Sequence, residues 1–281
     1  MSHRVIVDHV RSADGTRLAL DVLGSGPPLV LVGGAFSFRR WKGFVELAQL
    51  LADDFTVVGY DRRGRADSEP GPATSVALEM ADLRAVVAHA SGGPAHVFGM
   101  SSGGVLSLRA AAAGVPMRSL AVYQPPFVLG GRVPPADLAE RVARLVAAGK
   151  RSKAVRLFMT RGMGAPAPAV LLMRLAPFWR DLTAVAHTLP ADHAVMGETL
   201  AGRPLDPQPW RDVPVPVLVI DGGKSPAGAG AAADALAGHL PHATRLTLPG
   251  QGHNVSMPAL AAAIGDFAIS GRADDHRRTR P

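Results

Sequence analysis

Residues 99–104 read Gly-Met-Ser-Ser-Gly-Gly, directly after the apolar run Ala95-His96-Val97-Phe98 and directly before a stretch of good helix formers. This is the pattern of a strand, a tight turn and a helix, with Ser101 at the apex. The requirement behind it is steric. A serine that is to react stands on a strained turn so that its hydroxyl projects clear of the sheet. Small residues two before it (Gly99) and two after it (Gly103) let the neighbouring backbone pass without collision. The string alone says little, because glycine and serine are common in this chain. The strand before it and the helix after it carry the information.

The rest of the chain repeats that alternation. Residues 5–7 and 17–23 alternate as paired strands do, across a turn at Ala13-Asp14-Gly15. Residues 28–32 form a continuous apolar run ending in Gly33-Gly34, the mark of a strand buried on both faces. A helix over 41–51, a strand over 55–60, a helix over 76–89, the elbow with its helix over 105–113, and a strand over 119–123 follow. After residue 213 come a strand over 215–220, a helix over 229–239, a strand over 244–248 and a helix over 258–269. Such alternation predicts an α/β fold with a mostly parallel central sheet flanked by helices. Between Pro125 and Val213 the strand rhythm stops, and helical pieces near 134–138, 171–175 and 184–188 are separated by prolines. We read 1–127 and 213–270 as the core, 128–212 as an inserted helical cap over the mouth of the sheet, and 271–281 as a disordered tail.

Composition narrows the chemistry. The chain has no cysteine, so disulfides, thiolate metal sites and cysteine nucleophiles are all excluded. Any nucleophile is oxygen or nitrogen. The N-terminus lacks the apolar core of a secretion signal. No apolar run approaches the roughly 20 residues of a membrane span, and Arg109 breaks the best candidate. The expectation is a soluble, cytoplasmic protein with no membrane partner. Of the net charge of +7, the tail supplies +2 through four arginines and two aspartates. The remainder is read as spread along the chain, which argues against a nucleic-acid partner.

Strand order, elbow, cap position and the late loop Gly250-Gln251-Gly252-His253-Asn254 together resemble the α/β-hydrolase superfamily over nearly the whole chain. The arginine-rich loop over 59–68 looks like one that many members carry after their fourth strand. The nearest comparison is to small bacterial esterase-like members with a helical cap. The resemblance implies an α/β-hydrolase fold and places a catalytic histidine at His253, before the last helix. An imidazole suits the task of general base, its ordinary pKa being about 6.5. An oxyanion needs two preorganised N–H donors. Ser102 supplies one from the start of its helix. Ala35 supplies the other from Gly33-Gly34-Ala35, which stands where relatives often carry His-Gly-x.

The third member of the triad departs from the family pattern. Where relatives place an aspartate, this chain has Ser225 in Gly222-Gly223-Lys224-Ser225; at the second known placement it has Gln124. Gln124 or Asp221, the only nearby carboxylate on that strand, is expected to orient His253. The substrate pocket is expected to be apolar and lined by Phe36 and Met100 beside the oxyanion elements, with Met163, Phe178 and Trp179 from the cap. It suits a hydrophobic small molecule. Arg39, Arg40 and Arg62, and the cluster His187, Asp192 and His193, are read as solvated, with no metal and no organic cofactor. The leading function is a serine hydrolase of an ester, thioester or lactone. The alternatives are a cyclase or lyase of the same fold using His253 for acid–base chemistry, and a binding module with a vestigial site.

Overall fold

The computed structural model describes residues 3–129, 132–226 and 228–278, with 271–278 described as backbone only. The strands are β1 (Ile6–Arg11), β2 (Arg17–Leu23), β3 (Pro28–Val32), β4 (Thr56–Tyr60), β5 (Ala95–Met100), β6 (Met117–Tyr123), β7 (Val217–Gly222) and β8 (Ala243–Leu248). They form one sheet in the order β1-β2-β4-β3-β5-β6-β7-β8. Pairing is antiparallel for β1–β2 and β2–β4 and parallel from there on. The turn-linked first pair needs no crossover, whereas each parallel neighbour is reached through a helix.

The two faces of the sheet follow from the period of two along each strand. On β3, β6 and β7, Val30, Val32, Leu120, Val122, Val217 and Val219 point one way. They meet helices α2 (Val76–Ser91), α3 (Ser102–Ala112) and α9 (Ala229–His239). The intervening Leu29, Leu31, Ala121, Tyr123, Leu218 and Ile220 face α1 (Lys42–Leu51) and α10 (Met257–Arg278). Because both faces are covered, every residue of β5 and β7 is buried, which is why these strands read as continuous apolar runs.

Between β6 and β7 the chain forms helices α4 (Leu138–Ala147), α5 (Arg151–Leu157), α6 (Ala167–Met173), α7 (Trp179–Val185) and α8 (Leu189–Met196). This insertion has its own small core, including Leu138, Val142, Val155, Phe158 and Leu189. Ala35 and Phe36, from the loop after β3, pack against that core and join it to the sheet. Helix α10 continues as backbone to Arg278, so residues 271–278, expected as disordered tail, extend the closing helix; 279–281 lie outside the described residues.

Candidate active site

The elbow forms as the sequence requires, and is tighter than expected. Met100 still belongs to β5 and α3 begins at Ser102, so Ser101 alone makes the turn. Its backbone sits at φ 53, ψ −125, a conformation that costs a non-glycine residue roughly 1–3 kcal/mol. The turn is held by the Ser101 N–H donating to the Tyr123 carbonyl at 2.9 Å and by the Gly104 N–H donating to the Ser101 carbonyl at 2.8 Å. A Cβ on Gly103 would lie 2.4 Å from the Val32 carbonyl oxygen, so only glycine lets α3 start this close to β3.

Ser101 opens into a cavity of about 620 Å³ at the C-terminal edge of β3, β5 and β6. Four non-glycine residues have positive φ among the described residues, and three of them (Phe36, Ser101 and Gln124) line this cavity. Backbone strain is thus concentrated around one space.

His253 and Asn254 also line it. His253 Nδ1 donates to Gln124 Oε1 at 2.9 Å, which leaves Nε2 as the lone-pair nitrogen. The Gln124 amide is fixed in turn, its Nε2 donating to Ser225 Oγ in a short contact. The two positions where the family pattern offers an acid are therefore bonded to each other, and both are neutral. Tyr123 Oη donates to the Gly252 carbonyl and ties the histidine loop to β6. Burial holds the His253 pKa below the ordinary imidazole value. No hydrogen bond joins Ser101 Oγ to His253 among the described residues; such bonds often tighten only with substrate in place.

Asp221 is not the partner of His253. It follows Val217 and Val219 on the α9 face of β7, where its carboxylate is paired with Arg245 at 3.0 Å and lies 3.4 Å from where a Cβ on Gly230 would stand. Strand alternation aims it away from the histidine loop.

Gly34, the residue before the expected oxyanion donor Ala35, packs against Ser101. A Cβ on Gly34 would lie 2.9 Å from Ser101 Cβ. Neither the Ala35 nor the Ser102 N–H donates to a protein acceptor among the described residues. Of the expected pocket residues, Phe36, Met100 and Met163 line the cavity. Phe36 meets Phe158 edge-to-face at 5.4 Å. Phe178 and Trp179 are not among the lining residues. Phe178 is exposed, and Trp179 is buried in the core of the insertion with its indole N–H on Ser152 Oγ at 3.1 Å.

The largest departures concern charge. Arg39 and Arg62, expected at the surface, are buried, whereas Arg40 is exposed. Asp192, expected to be solvated, is fully buried on α8. It accepts from Arg62 Nη1 at 2.7 Å, from Arg65 Nη2 at 2.8 Å on each oxygen, and from Ser102 Oγ at 2.7 Å. Burial alone would raise the Asp192 pKa, but the charges of Arg65 and Arg62 outweigh it and the net shift is downward. Arg62 also binds Glu79 through two nitrogens, and Arg65 donates to the carbonyls of Gly34 and Ser37. One carboxylate from the insertion thus anchors, directly or through Arg65, both backbone segments beside Ser101.

His193, the next residue, is 8 % exposed and lines the cavity. Its Nδ1 donates to the Leu189 carbonyl at 3.1 Å, and Nε2 has no partner among the described residues. Burial lowers its pKa, so it presents a lone pair rather than a charge. Sequence reasoning grouped it with His187, whose Nε2 instead meets the Gly64 carbonyl at 2.7 Å. Among the described residues no cluster of His, Asp or Glu is placed to hold a metal ion.

Comparison with known proteins agrees with this architecture. A solved alpha/beta hydrolase from Sphaerobacter thermophilus is 46% identical, with a TM-score of 0.86 over 93% of this chain and all of that one. An esterase from a Rhodococcus species shares the fold at 20% identity and a TM-score of 0.64, over 95% of this chain and 98% of that one. An uncharacterized hydrolase of Bacillus subtilis, YraK, is 37% identical over 98 residues, which are 34% of this chain and 35% of the relative. The chain thus matches about a third of that curated relative's length. The model of the alpha/beta hydrolase family matches residues 29–268, and the chain belongs to that family.

Proposed function

We propose that the protein is a serine hydrolase acting on an ester, thioester or lactone of a hydrophobic small molecule, through an acyl-enzyme on Ser101. The observation that carries the reading is the strained Ser101 opening into an apolar cavity that also holds a neutral His253 with a defined tautomer. Ser101 Oγ attacks the carbonyl carbon while His253 Nε2 takes its proton. The oxyanion accepts from the Ala35 and Ser102 N–H groups. As the tetrahedral carbon collapses, His253 returns the proton to the departing oxygen or sulfur. Water, deprotonated by the same nitrogen, then releases the acid.

Gln124 orients the imidazole without supplying charge. In a serine protease, the loss of the acid's charge costs about 10⁴ in turnover, so this site works with a weaker imidazolium than relatives that keep an aspartate. The insertion acts as a cap, with Phe158 and Met163 among the residues it adds to the cavity wall. His193 Nε2 suits a substrate carrying a hydroxyl or N–H donor beside the scissile group.

The test is labelling with a fluorophosphonate probe, the adduct being located by mass spectrometry. Labelling confined to Ser101, lost in Ser101→Ala, is the expected result. One observation favours a second reading: among the described residues no carboxylate touches His253. If Ser101→Ala keeps turnover on a substrate that His253→Ala cannot process, the fold serves a lyase or cyclase reaction instead.

A further inference from the structure

The chain's positive charge is not spread evenly. Residues 141–180 contain nine lysines and arginines and no carboxylate, more charge than the +7 net of the whole chain. The insertion gathers much of it into a groove of about 1050 Å³ lined by Arg132, Arg141, Arg144, Lys153, Arg156 and Arg161, with no acidic residue in its wall. Arg141 and Arg144 each have an exposed carboxylate one turn back, Asp137 and Glu140, at 3.6 and 3.7 Å. The other four have no ion-pair partner among the described residues.

A second observation lies on the rim of this groove. Leu171, which lines it, is followed by Leu172, Leu175 and Phe178, which are 70 %, 83 % and 44 % exposed. From Leu171 to Ala176 the backbone is held by i→i+3 bonds, Leu175 N–H to the Leu172 carbonyl at 3.0 Å among them. Residues three apart in such turns stack on one face. Leu172 and Leu175 therefore share one face, and with Phe178 they make a continuous stretch of exposed apolar side chains rather than scattered exposures. A third observation ties both to the site: Arg132 and Gly164 line the groove and the Ser101 cavity alike, and the exposed Met163 stands in the cavity mouth.

We infer that this face of the insertion docks on an anionic phospholipid membrane, with the exposed Leu172, Leu175 and Phe178 in the acyl boundary and the groove cations on the headgroups. No membrane span is needed, and no helix among the described residues is long and apolar enough to form one. A ridge of leucines beside a row of cations is the pairing an interfacial surface requires. A nucleic acid would satisfy the cations but not the leucines, since single strands are held by stacking on aromatic side chains. A second copy paired through a two-fold axis would bring the same cations face to face. Docking in this orientation turns the mouth of the apolar cavity toward the bilayer, where hydrophobic esters reside.

The experiment is sedimentation of the full chain with vesicles of phosphatidylcholine alone and of phosphatidylcholine with phosphatidylglycerol, at low and high salt. Binding is expected on the phosphatidylglycerol vesicles and weakens with salt. Each headgroup-facing cation contributes about fivefold, so Arg156→Glu with Arg161→Glu lowers binding on the order of twentyfold or more. Leu172→Glu with Leu175→Glu abolishes it, while both double variants keep their melting temperature and their turnover of a soluble short-chain ester. Ser101→Ala binds as wild type, so failure of docking and failure of the hydrolase reading are separable. Absence of vesicle binding overturns the inference, as does equal binding to both vesicle types unaffected by either double variant. Retention on heparin or RNA without vesicle binding overturns it, and so does a dimer in sedimentation that Leu175→Glu dissociates.

Discussion

Two adjacent serines at the elbow face opposite electrostatic worlds. On the front, Ser101 looks into an apolar cavity whose histidine rests on a neutral glutamine, itself bonded to a serine. On the back, Ser102 donates to a fully buried aspartate held by two buried arginines, one of which is clamped by a glutamate. The chain thus has neutral Gln124 and Ser225 at the two positions where the family pattern offers an acid, and dense charge behind the elbow. Charge here holds the frame, while the proposed chemistry relies on geometry and hydrogen bonds. A buried ion network is weak evidence for stability overall, but its members cannot be removed singly, because each leaves an uncompensated charge behind.

That contrast can be broken from either side, beginning with the front. Ser101→Ala should lower ester turnover on the order of 10⁴-fold with an unchanged melting temperature; turnover within a few fold of wild type would remove Ser101 from the chemistry. On the back, Asp192→Ala leaves Arg65 buried without a carboxylate and Arg62 with Glu79 alone. The cost should be about 3–5 kcal/mol, a fall in melting temperature on the order of 10 °C, read by calorimetry. A loss of turnover with normal stability would instead make Asp192 part of the chemistry.

Gln124→Glu adds to the front the charge that it lacks. A carboxylate on Nδ1–H stabilises the imidazolium, so turnover should rise by about tenfold or more, a fraction of the full effect of a triad acid. The sign of the pH effect follows. Burial depresses the His253 pKa in the wild type, so the base form persists and the acid limb of kcat/KM lies below the ordinary imidazole value. Gln124→Glu raises that pKa and moves the limb to higher pH. An unmoved limb would show that His253 is not the titrating base. The smallest effect is expected at His193. Replacing it with Phe keeps the edge contact with Phe158 and removes the acceptor, so kcat/KM should fall by about five- to tenfold for substrates with a hydroxyl beside the carbonyl. Substrates without one should be unaffected.

Much of the frame was legible because it is local. Strands over 17–23 and 28–32 appear with the boundaries read from the sequence, the first from its alternation and the second because a doubly buried strand writes its burial into a continuous apolar run. The elbow was legible because its glycines answer to contacts within one turn and one neighbouring strand. His253 and Gln124 were both singled out, and the choice between Gln124 and Asp221 as partner was left open. Strand alternation from Val217 and Val219 was the available signal against Asp221.

What only the tertiary structure decided is where each charge ends up. Arg62 and Asp192 lie 130 residues apart in the chain, and nothing near either one reveals its partner. Both read as solvated because an isolated arginine or aspartate usually is. The nine cations of residues 141–180 were present in the sequence, but only the folding of three helices around one hollow makes six of the insertion's cations a groove beside the cavity. Steric patterns are set between neighbours in sequence, so a chain displays them. Charge pairing is set between neighbours in space, so it is decided when the insertion closes over the sheet.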